Sequence, residues 1–173
     1  MARTSTRDRI IRRNSPVSAG KHGLLNPPGM KSNPNYSHAI IVEPGSRFLV
    51  ISGQVGRSAD GSVPEGIEAQ AELAWRNVRT VLEAAGMSMG DIVSYVSYLV
   101  RREDAPIYSQ ARLRALGDAR PASTLVFVAG LGESKPTLLC EVQVLAAKAP
   151  ATRAKPPVRR LPQRGTRRSR SSN

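Results

Sequence analysis

The segment that most constrains the fold of this 173-residue chain covers residues 120–147, where two strand-like runs flank a glycine-bearing turn. Residues 124–129 (TLVFVA) form a continuous apolar and β-branched run, which is typical of a strand covered on both faces. Residues 138–145 (LLCEVQVL) alternate with a period of two, as a strand with two different faces does. We therefore expect a sheet with a second layer above it and further protein beneath it.

Two places in the predicted strands carry candidate functional residues. Glu141 and Gln143 share one face of the last strand, where an acid and an amide need hydrogen bonds, a solvated cleft or a subunit interface. A solvent-facing edge strand is the plainer alternative. Gly53 follows an earlier strand and would let the backbone approach a ligand or a neighbouring chain closely, although a β-bulge also explains a glycine there.

The remaining segments predict one α+β domain in the order β-β-α-β-α-β-β, with an antiparallel hairpin at each end. The other expected elements are strands at 36–42 and 47–52, a helix from about Val63 to Gly86, a strand at 91–100 and a helix from Asp104 to Leu116. Ser62 and Glu65 have the spacing of a capping box, and Trp75 is expected to be a packing residue. Two helices can cover one sheet face only, so the strands that are apolar on both faces predict an oligomer.

The net charge of +13 lies almost entirely at the two ends of the chain. Residues 1–31 carry +6 and residues 148–173 carry +9, whereas residues 32–147 carry −2. We therefore divide the chain into a disordered basic arm (1–31), a globular domain (32–148) and a disordered basic tail (149–173). The arm could also be an organelle transit peptide, and the tail could be a solubilising extension or a contact for nucleic acid.

Composition argues against several other classes of protein. No apolar run reaches the roughly 18 residues of a membrane span, and no apolar segment follows the N-terminal charges as in a secretory signal. One cysteine cannot form an internal disulfide, and two distant histidines give no metal-ligand cluster, so neither a metal nor another cofactor is expected. Cys140 is expected to be a buried packing residue, with a reactive thiol as the alternative. These features predict a cytoplasmic protein.

Several motifs together carry a resemblance to a known family. RPASTLVFVAGL followed by LLCEVQVLA, with FLVISGQV upstream and VRTVLEAAGMSMGDIVSYVSYLV between them, resembles the RidA (YjgF) family of reactive-intermediate deaminases over about residues 36–148. The resemblance implies a chorismate-mutase-like α+β fold, with a mostly antiparallel sheet covered by two helices on one face. It also implies a homotrimer whose sheets pack into a barrel-like core, with a small-molecule cleft between neighbouring subunits.

The resemblance also implies a set of site residues. In that family an arginine after Pro-Ala clamps the carboxylate of an imine or enamine, and a glutamate and a tyrosine position water and substrate. By position the tyrosine matches Tyr36 and the glycine of the Ser-Gly-Gln turn matches Gly53. The clamp position holds Ser123, the position of the functional glutamate holds Gln143, and an asparagine of the second helix is replaced by Ser109.

The two replacements predict altered chemistry. Ser123 cannot form the bidentate pair that an arginine makes with a carboxylate, and the amide of Gln143 cannot act as a general base. Glu141 could be a relocated base, or it could pair with an arginine of a neighbouring subunit, whereas Arg120 is expected to be structural. Two hypotheses follow. The first is a hydrolase or deaminase whose pocket has shifted to a substrate without the usual carboxylate, and the second is a non-catalytic trimeric binding or regulatory protein whose basic tails contact nucleic acid.

Overall fold

The computed structural model describes residues 22–132 and 137–150 of the chain. Its elements, in chain order, are strands β1 (Gly23–Leu25), β2 (Ala39–Ile41) and β3 (Arg47–Val55), helix α1 (Ile67–Ala84), a 3₁₀ turn (Met89–Asp91), strand β4 (Ile92–Leu99), helix α2 (Ala105–Leu116), and strands β5 (Ala122–Phe127) and β6 (Cys140–Lys148). Strands β1 and β2 form a separate pair, and the other four strands form one sheet in the order β3-β6-β4-β5. β6 runs antiparallel to both of its neighbours, and β5 runs parallel to β4.

Both helices lie on the same face of the four-stranded sheet and enclose the core. Helix α1 contacts β3, β6 and α2, and its Trp75 packs edge-on against Tyr95 of β4 with ring centroids 5.3 Å apart. On α2, the hydroxyl of Tyr108 shares a hydrogen bond of 2.6 Å with Ser97 Oγ of β4. Trp75 and Cys140 are both buried. The predicted fold of two helices over one sheet face is confirmed, and so are the packing roles of Trp75 and Cys140.

Neither predicted hairpin forms. The turn at residues 43–46 is present, since the Ser46 N–H donates to Glu43 O at 3.3 Å and Gly45 has a φ of 77°. Its flanking strands nevertheless join different sheets, because β2 pairs with β1 and β3 pairs with β6. At the other end, β5 pairs with β4 and not with β6. Helix α2 is long enough to connect β4 to β5 as parallel neighbours. Period-two alternation shows which residues of a strand share a face but not which strand it pairs with.

Strand β5 is the edge of the sheet, which changes the interpretation of the apolar run at residues 124–129. Leu125 is 44% exposed and Val126 is 36% exposed, so a single chain does not cover both faces of this strand. The isolated chain therefore leaves the run partly uncovered, and the full cover that its apolar residues predict stays an expectation about the oligomer. Apolar side chains exposed together on an edge strand favour a cover supplied by another molecule.

The start of α1 also differs from the prediction. The helix begins at Ile67 after Gly66, which has a φ of 82°, and Gly66 makes no side-chain cap. The hydroxyl of Ser62 donates to Asp60 Oδ1 at 2.7 Å and so is used in a local turn rather than at the helix. The predicted capping box at Ser62 is therefore wrong. The predicted end is confirmed, since Gly86 follows the helix with a φ of 66°.

The boundary of the N-terminal arm needs one correction. Strand β1 lies inside the segment 1–31 that was predicted to be disordered. Next to it, Nε2 of the His22 ring donates a hydrogen bond of 2.8 Å to Ala147 O of β6. Residues 22–31 are therefore part of the folded unit, while residues 1–21 and 151–173 lie outside the described residues. Within residues 22–132 and 137–150, no helix is both long enough and apolar enough to cross a membrane.

Candidate functional site

The face of the four-stranded sheet opposite the helices, here called the open sheet face, has no cover in the described chain. It is largely apolar, and its largest exposed side chains are Phe48 and Val50 of β3, at 56% and 73% exposure. The register places Leu145 opposite Val50, and Val96 opposite Gln143. This face therefore combines an apolar surface with a small polar group contributed by β6.

Glu141 and Gln143 lie side by side on the open sheet face, as the alternation of β6 predicts. Cys140, Val142 and Val144 are buried on the opposite side under the helices. The amide oxygen of Gln143 accepts a hydrogen bond of 3.3 Å from the Tyr98 hydroxyl. Glu141 is half-buried, and its carboxylate forms no hydrogen bond or ion pair within residues 22–132 and 137–150. Glu141 is therefore the acid that this face offers to a ligand or to a neighbouring chain.

Gly53 shapes the position of the Glu141 carboxylate. A register shift between Ile51 and Gln54 bulges β3 beside β6 and brings Gly53 against the Glu141 side chain. A Cβ placed on Gly53 would lie 1.7 Å from Glu141 Oε1 and 2.5 Å from Cδ. Only glycine allows this close approach to Glu141, so the β-bulge at Gly53 is confirmed, while the approach of its backbone to a ligand or a neighbouring chain stays a prediction.

Ser109 and Ser123 meet on the other side of the sheet. They line a small pocket of about 30 Å³ between α2 and the β4–β5 edge, here called the helix-side pocket, together with Tyr95, Tyr108, Arg112 and Leu125. The register explains the placement, because Ser123 lies opposite Tyr95, whose ring is buried beneath α1. The serine at the clamp position thus faces the helix layer, away from Glu141 and Gln143.

Arg112 is the pocket residue that the sequence reasoning missed. Its Nη1 donates a hydrogen bond of 2.6 Å to the Tyr95 hydroxyl. The available signal was its spacing, since Arg112 follows Ser109 by three positions and shares a helix face with it. That signal is weak alone, because the spacing does not reveal what lies across the pocket.

Tyr36 lies near the start of β5. The Ser37 N–H donates to Arg120 O at 3.2 Å, which fixes this segment beside Pro121, and the Tyr36 ring packs edge-on against His38 with centroids 5.9 Å apart. Arg120 Nη1 donates to the carbonyls of Gly117 at 2.6 Å and Ala119 at 2.9 Å, in agreement with a structural role for Arg120.

The six candidate residues therefore form two groups within one chain. Gly53, Glu141 and Gln143 are assembled around the open sheet face, and Ser109 and Ser123 are in the helix-side pocket, with Tyr36 near the start of the strand that carries Ser123. The sheet separates the two groups. A ligand that contacted both would have to lie where one chain's pocket edge meets another chain's open sheet face.

Cys140 is the nucleophilic side chain closest to Glu141 in sequence, but it cannot serve the site. Burial, with smaller contributions from the charges of Asp104 and Glu141, raises the pKa of the Cys140 thiol to about 12. The thiol is therefore protonated and unreactive near neutral pH. Among residues 22–132 and 137–150, no group of three or more His, Cys, Asp or Glu side chains could hold a metal ion.

This chain is similar to one known protein family and to several individual proteins. A model of the family described as Endoribonuclease L-PSP matches residues 29–148. A RutC family protein of Pyrococcus horikoshii is 30% identical over 115 residues, which cover 65% of this chain and 86% of that protein. The 2-iminobutanoate/2-iminopropanoate deaminase of Bos taurus is 29% identical over 121 residues, covering 69% and 84%. The solved structure of YyfB, a Rid family protein of Yersinia pestis, has a TM-score of 0.62 at 30% identity, covering 72% and 97%.

Proposed function

The chain belongs to the Endoribonuclease L-PSP family, which includes the RidA, YjgF and RutC proteins, and from this we propose that it is a hydrolase of imines or enamines with an altered substrate. The site is proposed to lie in a cleft between subunits of a cytoplasmic homotrimer. The observation that carries the proposal is the Glu141 carboxylate, which is held against Gly53 on the open sheet face without a partner among the described residues.

Glu141 is proposed to be the general base. Hydrolysis of an imine adds water to the carbon of the C=N bond, and the carboxylate of Glu141 would accept a proton from that water. That proton is returned to the nitrogen, which gives a tetrahedral adduct with a hydroxyl and an amine on the same carbon. Transfer of the hydroxyl proton to the nitrogen then breaks the C–N bond, so that ammonia or an amine leaves as the carbonyl product forms. Gln143 would accept or donate hydrogen bonds beside this water, because an amide cannot take the proton itself.

The altered substrate follows from the two family positions that have changed. Ser123 provides a neutral hydroxyl where the resembled family has an arginine, and Gln143 provides an amide where it has a carboxylate. The Bos taurus relative is named for two imino acids, 2-iminobutanoate and 2-iminopropanoate. We propose that this chain acts poorly on such small imino acids in the geometry that its relatives use, and better on an imine held by different contacts.

The homotrimer is supported by the apolar character and exposure of the open sheet face. Phe48 and Val50 are exposed there on β3, and Val126 is exposed on β5, the strand at the opposite edge of the sheet. The division of the candidate residues between two faces supports the same assembly. Light scattering at micromolar concentration should give three times the chain mass of 18.6 kDa, and a stable monomer would contradict both the assembly and an inter-subunit site.

The decisive experiment compares imine hydrolysis by the natural protein and by the Glu141→Gln variant. Imines are generated in situ from a panel of amino acids and amines by an oxidase, and release of the carbonyl product is followed. The variant should lose about 10²- to 10⁴-fold in rate, since it keeps the shape of the side chain and removes the base. Glu83→Gln, at an exposed position of α1, is the matched control and should retain full activity.

A non-catalytic binding or regulatory protein is the second candidate, favoured by the loss of both the arginine and the glutamate that the family uses. In that case no imine of the panel is hydrolysed faster than in buffer, while a small molecule still binds the cleft. The basic termini, at +6 for residues 1–31 and +9 for residues 148–173, could then hold the trimer on nucleic acid with a steep salt dependence.

A further inference from the structure

The chain enters and leaves the fold at one corner, here called the chain-end corner. The His22 ring donates from Nε2 to Ala147 O of β6 at 2.8 Å, and its Nδ1 accepts from the Glu43 N–H at 3.2 Å. Gly45, in the turn that follows Glu43, lies beside Pro150, since a Cβ on Gly45 would be 3.8 Å from Pro150 Cγ. These five residues define the corner. His22 and Pro150 are the first and the last residues that the structure describes.

The two segments that continue from this corner carry most of the positive charge of the protein. Residues 1–21 contain six Lys or Arg and one Asp, and residues 151–173 contain eight Lys or Arg and no acid. Only three residues follow Ala147 before the second segment begins, so the two segments start within about 20 Å of each other. A chain of this length can extend by up to about 70 Å, so the reaches of the two segments overlap.

The folded surface of the corner does not neutralise this charge. Arg47 and Lys148 lie opposite each other at the ends of β3 and β6, and both are exposed. Arg47 Nη2 donates to Ala85 O at 2.6 Å and Lys148 Nζ donates to Gly86 O, where α1 ends. Glu43 is the acid that the corner contributes, and it is exposed. The corner therefore adds two cations and one acid, and a polyanion is not repelled there.

The composition of the two segments selects the kind of polyanion. Neither segment contains Phe, Trp or Tyr. Proteins hold single-stranded nucleic acid largely with aromatic side chains that stack on the bases, and they lie on membranes with an apolar face rich in Trp, Phe or Leu. Arginine, the main cation of both segments, binds phosphate oxygens through two parallel N–H donors. A duplex presents such phosphates densely, with one charge per roughly 1.7 Å of its axis.

We propose that the two basic segments act together as one binding element for the phosphate backbone of a nucleic-acid duplex, because the chain-end corner holds their starting points side by side. This inference deepens the nucleic-acid contact named for the second candidate function, and it does not depend on imine hydrolysis. Two binding segments joined at one place raise each other's effective concentration at the duplex, which increases the affinity about 10²- to 10⁴-fold over that of either segment alone.

The test uses the full-length protein and a DNA duplex of about 12 base pairs, which carries roughly 24 backbone charges. One variant has Gln in place of every Lys and Arg of residues 1–21, and a second has the same change in residues 151–173. Each variant should bind the duplex at least about 10²-fold more weakly than the natural protein, measured by fluorescence anisotropy. The double variant Arg76→Gln with Arg79→Gln, at exposed positions of α1 outside the corner, is the control and should bind as the natural protein does.

The salt dependence and the stoichiometry distinguish one shared element from two separate ones. The slope of log affinity against log salt concentration in the natural protein should approach the sum of the slopes of the two variants, because both segments release counterions from the same duplex. No more than one duplex should bind per chain. Two duplexes per chain, or a variant that keeps the full natural affinity, would overturn the proposal.

Two other probes test the choice of partner. A single strand of the same length should bind more weakly than the duplex, and so should vesicles that contain phosphatidylserine. Tighter binding of either probe would overturn the proposal, since the two segments would then serve single strands or a membrane surface.

The outcome is separable from that of the proposed hydrolase activity. Imine hydrolysis by a protein that binds no duplex would remove the binding element alone. Duplex binding that needs both segments, in a protein that hydrolyses no imine, would support the element and remove the catalytic function.

Discussion

Replacing Gly53 by alanine tests the geometry around Glu141 directly. The added Cβ would lie 1.7 Å from Glu141 Oε1, 2.5 Å from Cδ and 2.9 Å from Cγ. All three atoms belong to a side chain and none to the backbone, so the chain can relieve the clash by swinging the carboxylate away. Gly53 has no positive φ, and alanine is therefore compatible with its backbone.

The expected effect on the free energy of unfolding is modest. Forcing extra atoms into a filled space typically costs about 1–3 kcal/mol. Alanine recovers about 0.4–1 kcal/mol by restricting the unfolded chain. Gly53→Ala should therefore destabilise the protein by roughly 1–2 kcal/mol, measured by urea unfolding. The same variant should lose imine hydrolysis as fully as Glu141→Gln does, because the carboxylate can no longer occupy its place.

A double-mutant cycle with Glu141→Ala isolates the cause. With alanine at position 141, the Cβ added at position 53 has no carboxylate to collide with. The coupling energy between the two changes should therefore be about 1–3 kcal/mol. Gly56→Ala is the contrast, since its Cβ would lie 2.5 Å from both the Cα and the carbonyl oxygen of Gln70 in the backbone of α1. That variant should lose more stability, and Glu141→Ala should not restore it.

Either of two results would contradict this role of Gly53. Gly53→Ala could destabilise the protein equally with alanine or glutamate at position 141, which would mean that the cost comes from elsewhere. Alternatively, imine hydrolysis could persist in Gly53→Ala at the natural rate. The carboxylate would then not act from the place that the bulge in β3 provides.

The double variant Ser123→Arg with Gln143→Glu should release more keto acid from 2-aminoacrylate than either single variant does. If the natural protein already acts on 2-aminoacrylate within about tenfold of an arginine-bearing relative, the proposal that these two positions alter the site is wrong. Burial raises the pKa of Cys140 to about 12. The contribution of the protonated thiol to the free energy of unfolding is therefore complete below pH about 9 and is lost as pH rises toward 12. Relative to Cys140→Ala, urea unfolding at pH 10 should therefore show a loss of about 1 kcal/mol from pH 8, and a constant difference would contradict the raised pKa. Deleting residues 1–21 and 151–173 should leave the thermal midpoint nearly unchanged and abolish binding to a nucleic-acid oligomer, whereas salt-insensitive binding by the trimmed protein would place that surface on the fold.

The sequence predicted the features that depend on local periodicity. Period-two alternation assigned Cys140 and Glu141 to opposite faces of β6, and the structure places Cys140 in the core and Glu141 on the open sheet face. The apolar stripe of α1 and the glycine at its end were readable for the same reason, because burial repeats with the geometry of the helix. Gly86 confirms that end with its positive φ.

The pairing of strands was not predictable from the same patterns. A strand's own residues determine which face is buried, but its partner depends on where distant segments pack, as with β6 between β3 and β4. Arg112 escaped detection for a related reason. Its importance depends on Tyr95 and Ser123, which reach it from two strands across the pocket, and no local spacing describes that arrangement.

The two changed family positions can be understood together if the two halves of the site meet between subunits. Ser123 lacks the cation expected at its position, yet Arg112 brings a guanidinium into the same pocket from α2. Gln143 lacks the acid expected at its position, yet Glu141 lies two residues earlier on the same sheet face. Each half thus contains one charged group near the changed position, a cation in the helix-side pocket and an acid on the open sheet face. Arg112 and Glu141 are both half-buried and form no ion pair within residues 22–132 and 137–150, and a partly desolvated charge without an ion-pair partner is unfavourable. The retained pair of charges therefore favours a changed substrate over a lost reaction.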